Sequence, residues 1–63
     1  MSLEAECIAG IQKLKDEKYD EALKLAELIA TQNVFEAIRT IDKIQVILGN
    51  IITYCETIEA LEK

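Results

Sequence analysis

The sequence has no proline, no histidine and no tryptophan, and it contains only two glycines, two cysteines and three aromatic residues. Without proline, and with glycine only at positions 10 and 49, nothing in the chain forces a strand, a tight turn or a linker. Without histidine and without a C-x-x-C pair, the usual metal ligands and acid–base catalysts are missing. These absences favour an all-helical protein that is not an enzyme and holds neither a metal nor a cofactor.

The size of the chain limits how it can be stabilised. A domain of 63 residues buries only about 60% of its unfolded surface and usually needs disulfides, metals or oligomerisation. Hydrophobic residues make up 51% of the sequence, with ten Ile and seven Leu, so disorder is excluded by composition. Because two cysteines and no histidine offer little for disulfides or metal sites, we expect oligomerisation to stabilise the chain.

The net charge and the hydropathy pattern indicate which classes of partner and which cellular location to expect. Seven basic against twelve acidic residues give a net charge of −5, which makes binding to nucleic acid unlikely because phosphates are repelled. The longest uncharged run covers 44–55 and is well short of the roughly 20 residues that cross a bilayer. We therefore expect no membrane association and a cytoplasmic location.

The first half of the chain predicts one amphipathic helix over about 3–30, with Ser2 as its N-terminal cap. At about 100° per residue, its apolar positions fall on a single arc. The arc consists of Leu3, Cys7, Ile8, Ile11, Leu14, Ala22, Leu25, Ala26 and Ile29.

The second half predicts a helix over about 34–62 with the heptad seam of a coiled coil. The seam consists of Val34, Ala37, Ile41, Ile44, Leu48, Ile51, Cys55 and Ile58. Four further apolar residues, Ile38, Ile47, Ile52 and Leu61, widen it to a stripe that contacts more than one neighbour.

The turn is expected at 31–33, because Asn33 and Glu36 have the spacing of a capping box. Two helices of equal length joined by a short turn form an antiparallel hairpin, a helix-turn-helix unit that occupies 1–63 as one domain. One hairpin leaves half of two wide apolar stripes in water, so we expect two copies to form an antiparallel four-helix bundle. The predicted core and dimer residues are Ile11, Leu14, Leu25, Ile41, Ile44, Leu48, Ile51 and Ile58.

An alternative division of the chain comes from residues 18–23, which resemble the start of the second helix of a tetratricopeptide repeat. That division breaks the first helix near Asp16. Other consensus positions, including Ala26 and Val34, lack the expected large or proline residues, and a single repeat is not stable.

The full length, the capped turn at 33–36 and the uncharged stretch 44–55 together resemble the small helical-hairpin proteins of Sulfolobus spindle-shaped viruses, the fuselloviruses. The resemblance implies a homodimeric four-helix bundle in a hyperthermophilic archaeal host, an adaptor role and no catalytic residues. In that case the location is the host cell's cytoplasm, and the partner is a host or viral protein whose identity stays open.

Three positions have two interpretations each. Cys7 and Cys55 belong to nearly the same layer of the hairpin, so they are either two buried free thiols or a disulfide. Lys18 lies on the apolar arc and either extends its ammonium outward, towards Glu21 or the other chain, or selects the dimer register. Gly49 is either tolerated on a solvated or closely packed face or part of a docking strip.

That strip consists of Val46, Gly49, Asn50 and Thr53, which are uncharged and predicted to face away from the hairpin core. We expect a protein-interaction module, an adaptor or assembly factor, that acts as a homodimer. The alternative is an RNA-binding regulator of the plasmid copy-number hairpin type, which needs Phe35 and scattered lysines to converge on one face. Exposed charges such as Glu17 and Asp20 are interpreted as an ordinary solvated helix face.

Overall fold

A computed structural model describes residues 2–62 and shows an all-helical hairpin. Helix α1 covers Leu3–Ala30 and helix α2 covers Val34–Glu62, where the sequence predicted helices over about 3–30 and 34–62. The helices pack against each other along their length, and the Cα atoms extend over 47 × 16 × 11 Å. Because α1 runs without interruption through Asp16, the division expected from a tetratricopeptide repeat is wrong.

The start of α1 is capped as predicted. The Ser2 hydroxyl accepts a hydrogen bond from the Ala5 backbone N–H at 3.1 Å, and Glu4 and Glu6 place acidic charge in the first turn. Both features stabilise a helix N-terminus, where backbone N–H groups lack partners and the helix dipole is positive.

The turn is built differently from the prediction. Gln32 adopts a left-handed conformation with φ of 59°, the Gln32 N–H donates to the Ile29 carbonyl, and the Asn33 N–H donates to the Leu28 carbonyl at 2.9 Å. This pair of bonds is a Schellman motif, which closes the C-terminus of α1. The expected capping box is therefore wrong, because the Asn33 N–H that Glu36 was to bind is already used by Leu28.

Near the turn, α2 presents small residues to α1. Ala37 and Thr40 are buried, and Thr40 is only 2% exposed. Its hydroxyl donates to the Glu36 carbonyl at 2.9 Å, which satisfies the buried oxygen within the helix. Towards the open end of the hairpin, Cys7 of α1 is buried and 3% exposed.

The phase of the predicted heptad seam differs from the observed one. The side of α2 that is most buried runs through Ala37, Thr40, Ile44, Ile47, Ile51 and Ile58. Ile41 and Leu48 are each 41% exposed in the hairpin. The other predicted core residues, Ile11, Leu14, Leu25, Ile44, Ile51 and Ile58, are partly buried. Ile41 and Leu48 lie outside the hairpin's own core because α2 has apolar residues on two adjacent sides and only one faces α1.

Within residues 2–62, neither helix offers a stretch both long enough and apolar enough to cross a bilayer.

Candidate functional site: an apolar face and an acidic groove

One side of the hairpin is an exposed apolar face. On α2 it follows steps of four and three residues, a spacing that keeps side chains on one side of a helix. A hollow of about 520 Å³ near the turn joins residues of both helices, including Ile29 and Val34. We define the apolar face by its exposed large residues, which are Ile8, Ile29, Val34, Ile38, Ile41, Leu48 and Ile52.

The apolar face is long and carries few charges. By helical spacing, Glu4 and Glu59 lie on this side near the open end of the hairpin, Lys15 lies further in, and the partly buried Lys18 lies at its edge. Most of the large residues of this face belong to α2, and α1 contributes Ile8 and Ile29.

The other side of the hairpin carries an acidic groove between the two helices. Its main hollow has a volume of about 570 Å³, and a second hollow of about 450 Å³ continues it towards Gly10 and Tyr54. The two hollows share Leu14, Glu17 and Asn50, so they form one groove. We define the acidic groove by four carboxylates, Glu17, Asp20, Glu21 and Asp42, around the apolar side chains of Leu14, Val46 and Ile47.

The carboxylates of the groove are not neutralised by neighbouring side chains. Lys43 lies among them, and Lys13 lies at the far end of the second hollow. Among residues 2–62, the one salt bridge joins Arg39 to Glu36, three residues apart on the exposed surface of α2, with 3.6 Å between Nη1 and Oε1. One groove oxygen, Oε2 of Glu21, is buried and has no hydrogen-bond partner. The other three carboxylates of the groove, those of Glu17, Asp20 and Asp42, belong to exposed residues and are accessible from outside.

The predicted docking strip is only partly in this groove. Val46 and Asn50 line the main hollow, and Asn50 and Thr53 line the second one. Gly49 lies beside the groove in open space, since a β-carbon built on it would meet no atom within 4 Å. The Thr53 hydroxyl donates to the Gly49 carbonyl at 3.1 Å.

The acidic side of the groove was not predicted from the sequence, because Glu17 and Asp20 were interpreted as ordinary surface charge, Glu21 only as a partner for Lys18, and Asp42 was not considered. A signal for Glu21 was present. Residues facing each other across this hairpin have numbers that sum to about 64, as Gly10 and Tyr54 do in the structure, and this rule places Glu21 beside Lys43.

The cysteines and Lys18 can be placed as well. Both thiols are free, with Cys7 buried and Cys55 exposed in the single hairpin. Lys18 is partly buried, and the described residues show no salt bridge between Lys18 and Glu21.

The described side chains were also compared with the arrangement that a metal ion needs. Residues 2–62 contain no group of three or more Cys, Asp or Glu side chains placed to hold a metal ion. The hairpin thus presents two distinct surfaces, the apolar face and the acidic groove. Comparisons with protein-family models, curated proteins and solved structures found no match for this chain.

Proposed function

We propose that the protein is a non-enzymatic protein-interaction module, an adaptor, and that it acts as a homodimer in which two hairpins pair through their apolar faces as a four-helix bundle. The observation that carries the proposal is the amount of exposed surface. A compact monomer of 7.1 kDa exposes about 4,100 Å². The hairpin exposes 4931 Å².

The excess, about 800 Å², is what one partner buries in a protein–protein interface of standard size. The hairpin is 47 Å long and 16 Å wide between Cα atoms, so one face has roughly this area. A second copy fits because it presents the same long, weakly charged face, and pairing like with like is the rule in twofold dimers.

The adaptor role follows from what such a dimer leaves exposed. Pairing through the apolar faces buries Ile41 and Leu48 and leaves both acidic grooves on the outside. The resemblance to spindle-shaped virus hairpins supports the same role and favours the host cytoplasm as its location. The net charge of −5 argues against the RNA-binding alternative.

Sedimentation equilibrium with matched variants tests the dimer. The wild type should have a mass of about 14 kDa, twice 7.1 kDa. Leu48→Asp and Ile41→Asp should yield monomers, because each puts a carboxylate into the interface. Val46→Asp is the matched control, since Val46 is 63% exposed on α2 outside the apolar face and its change should leave the dimer intact. A folded wild-type monomer, or a dimer that survives Leu48→Asp, would contradict the proposal.

The adaptor function is tested by capture from a host lysate with and without nuclease. Retention of bound protein after nuclease supports an adaptor. Loss of all captured material after nuclease would favour the RNA-binding alternative.

A further inference from the structure

We propose that the acidic groove binds a basic, amphipathic helical segment of a partner protein, with Lys or Arg side chains against its carboxylates and apolar side chains against its floor. This rests on the proposed function, because a dimer formed through the apolar faces keeps the groove open.

The charge of the groove selects a cationic occupant. Four carboxylates, Glu17, Asp20, Glu21 and Asp42, line the main hollow with one ammonium, that of Lys43. None of the four forms a salt bridge among residues 2–62. A positively charged partner can therefore form new ion pairs here without first breaking existing ones.

The spacing of the carboxylates favours several separate cations over one bound ion. Residues 2–62 hold no cluster of three or more acidic or cysteine side chains that could surround a metal. Carboxylates spread along a groove instead match ammonium or guanidinium groups spread along a peptide. Glu17, Asp20 and Asp42 are exposed, so each can pair with one of these groups.

The floor and the length of the groove favour a helix. Leu14, Val46 and Ile47 supply an apolar floor between the charged rims. The two hollows together extend from Gly10 to Glu21 on α1, which is about 17 Å at the helical rise per residue. A partner helix of three to four turns has that length, and its residues at i, i+3, i+4 and i+7 can face the floor while its flanks carry charge.

Fluorescence anisotropy with the full-length protein tests the inference. The probe is a labelled synthetic helix of about 15 residues, made of Leu on one face and Lys on the other. Asp20→Asn combined with Asp42→Asn should weaken its binding about tenfold, as expected for two partly exposed ion pairs. The matched control, Glu27→Gln with Glu56→Gln, removes the same charge outside the groove and should weaken binding less than about twofold.

Two further arms test the chemistry of recognition. The same peptide with Glu in place of Lys should not bind. Val46→Ser should weaken the Lys peptide about threefold, because it removes an apolar contact from the floor. If the groove and control variants lose the same amount of affinity for the Lys peptide, the attraction depends only on the net charge of the protein, and the inference is overturned. Failure of the Lys peptide to bind below about 1 mM would also overturn it.

Sedimentation of the same samples separates this inference from the proposed dimer. If the wild type is monomeric but the groove variants still weaken the peptide selectively, the dimer fails and the groove stands. If Leu48→Asp weakens the peptide while the groove variants do not, the peptide binds the apolar face and the groove is excluded.

Discussion

The ring of Tyr54 on α2 lies directly over Gly10 of α1, so close that a β-carbon built on Gly10 would come within 2.7 Å of Cζ. The ring atom Cε2 and the hydroxyl oxygen Oη would lie at 2.9 and 3.0 Å from that β-carbon. Gly10 thus has a structural reason to be glycine despite its place inside a helix. Gly49, the other helical glycine, has no such neighbour.

This relationship predicts a coupling between Gly10 and Tyr54. Alone, Gly10→Ala should gain up to about 1 kcal/mol of helix propensity. With Tyr54 present, the new methyl group displaces the ring, and part or all of that gain should be lost. In a Tyr54→Ala background the full gain should return. Urea unfolding of the four proteins in this cycle measures the coupling, and an identical effect of Gly10→Ala in both backgrounds would show that the ring does not press on this site.

The turn predicts a stabilising substitution. Gln32 holds a left-handed conformation that costs a residue with a β-carbon about 1 kcal/mol, whereas glycine adopts it freely. Gln32→Gly should therefore raise the free energy of unfolding by up to about 1 kcal/mol. Asn33→Gly is the control and should not stabilise, because Gln32 is the one non-glycine residue of positive φ among residues 2–62. Thermal unfolding that ranks these two variants in the opposite order would refute the Schellman closure.

The burial of Thr40 predicts that a larger side chain at this position destabilises the hairpin. Thr40→Leu adds volume where the side chain is 2% exposed and should destabilise the hairpin by about 1–3 kcal/mol. Thr53→Leu places the same side chain at an exposed position of the same helix and should change stability by about 0.5 kcal/mol or less. Chemical denaturation of both variants checks the difference, and equal effects would mean that the helices are further apart at Thr40.

Cys55 predicts a chemical readout of dimer formation. It follows Leu48 and Ile52 at helical steps, so it lies at the edge of the apolar face and is exposed in the single hairpin. Its reaction with a thiol reagent should be slow at dimer-forming concentrations and at least about tenfold faster in Leu48→Asp or on dilution. Cys7, which is buried within the hairpin, should stay slow throughout. Fast, concentration-independent reaction of Cys55 in a sedimenting dimer would place the interface elsewhere.

The sequence was sufficient for the hairpin but not for the rotation of α2. Periodicity located both helices because their apolar residues recur at helical spacing and no proline interrupts them. The rotation depends on which of two adjacent apolar sides faces α1. Heptad periodicity cannot decide this, because both sides are rich in Ile. The small residues Ala37 and Thr40 are the buried residues of α2 and so mark the side that faces α1, but a hydrophobicity pattern gives such residues little weight.

The acidic groove could be predicted only in part, for a related reason. Val46 and Asn50 were recognised as uncharged and outward-facing, and both line the groove. Its carboxylates come from two helices, so which of them converge depends on that same rotation. The left-handed conformation of Gln32 could not be predicted from the sequence either. A glycine usually signals this conformation at the end of a helix, and the position holds glutamine.

The antiparallel pairing of the two helices, seen where Gly10 faces Tyr54, has a consequence for the folding rate. In an antiparallel hairpin, the chain length between facing residues grows steadily from the turn to the open end. The entropy needed to close each loop therefore rises with distance from Gln32, and contacts next to the turn form at the least cost. Contacts between the helices should form first at Ala37 and Thr40 and then successively towards the open end of the hairpin. The folding rate should be high, as is typical of helical proteins with local contacts. Amide exchange should be fastest near Cys7 and Ile58, where the last contacts close and the first ones open.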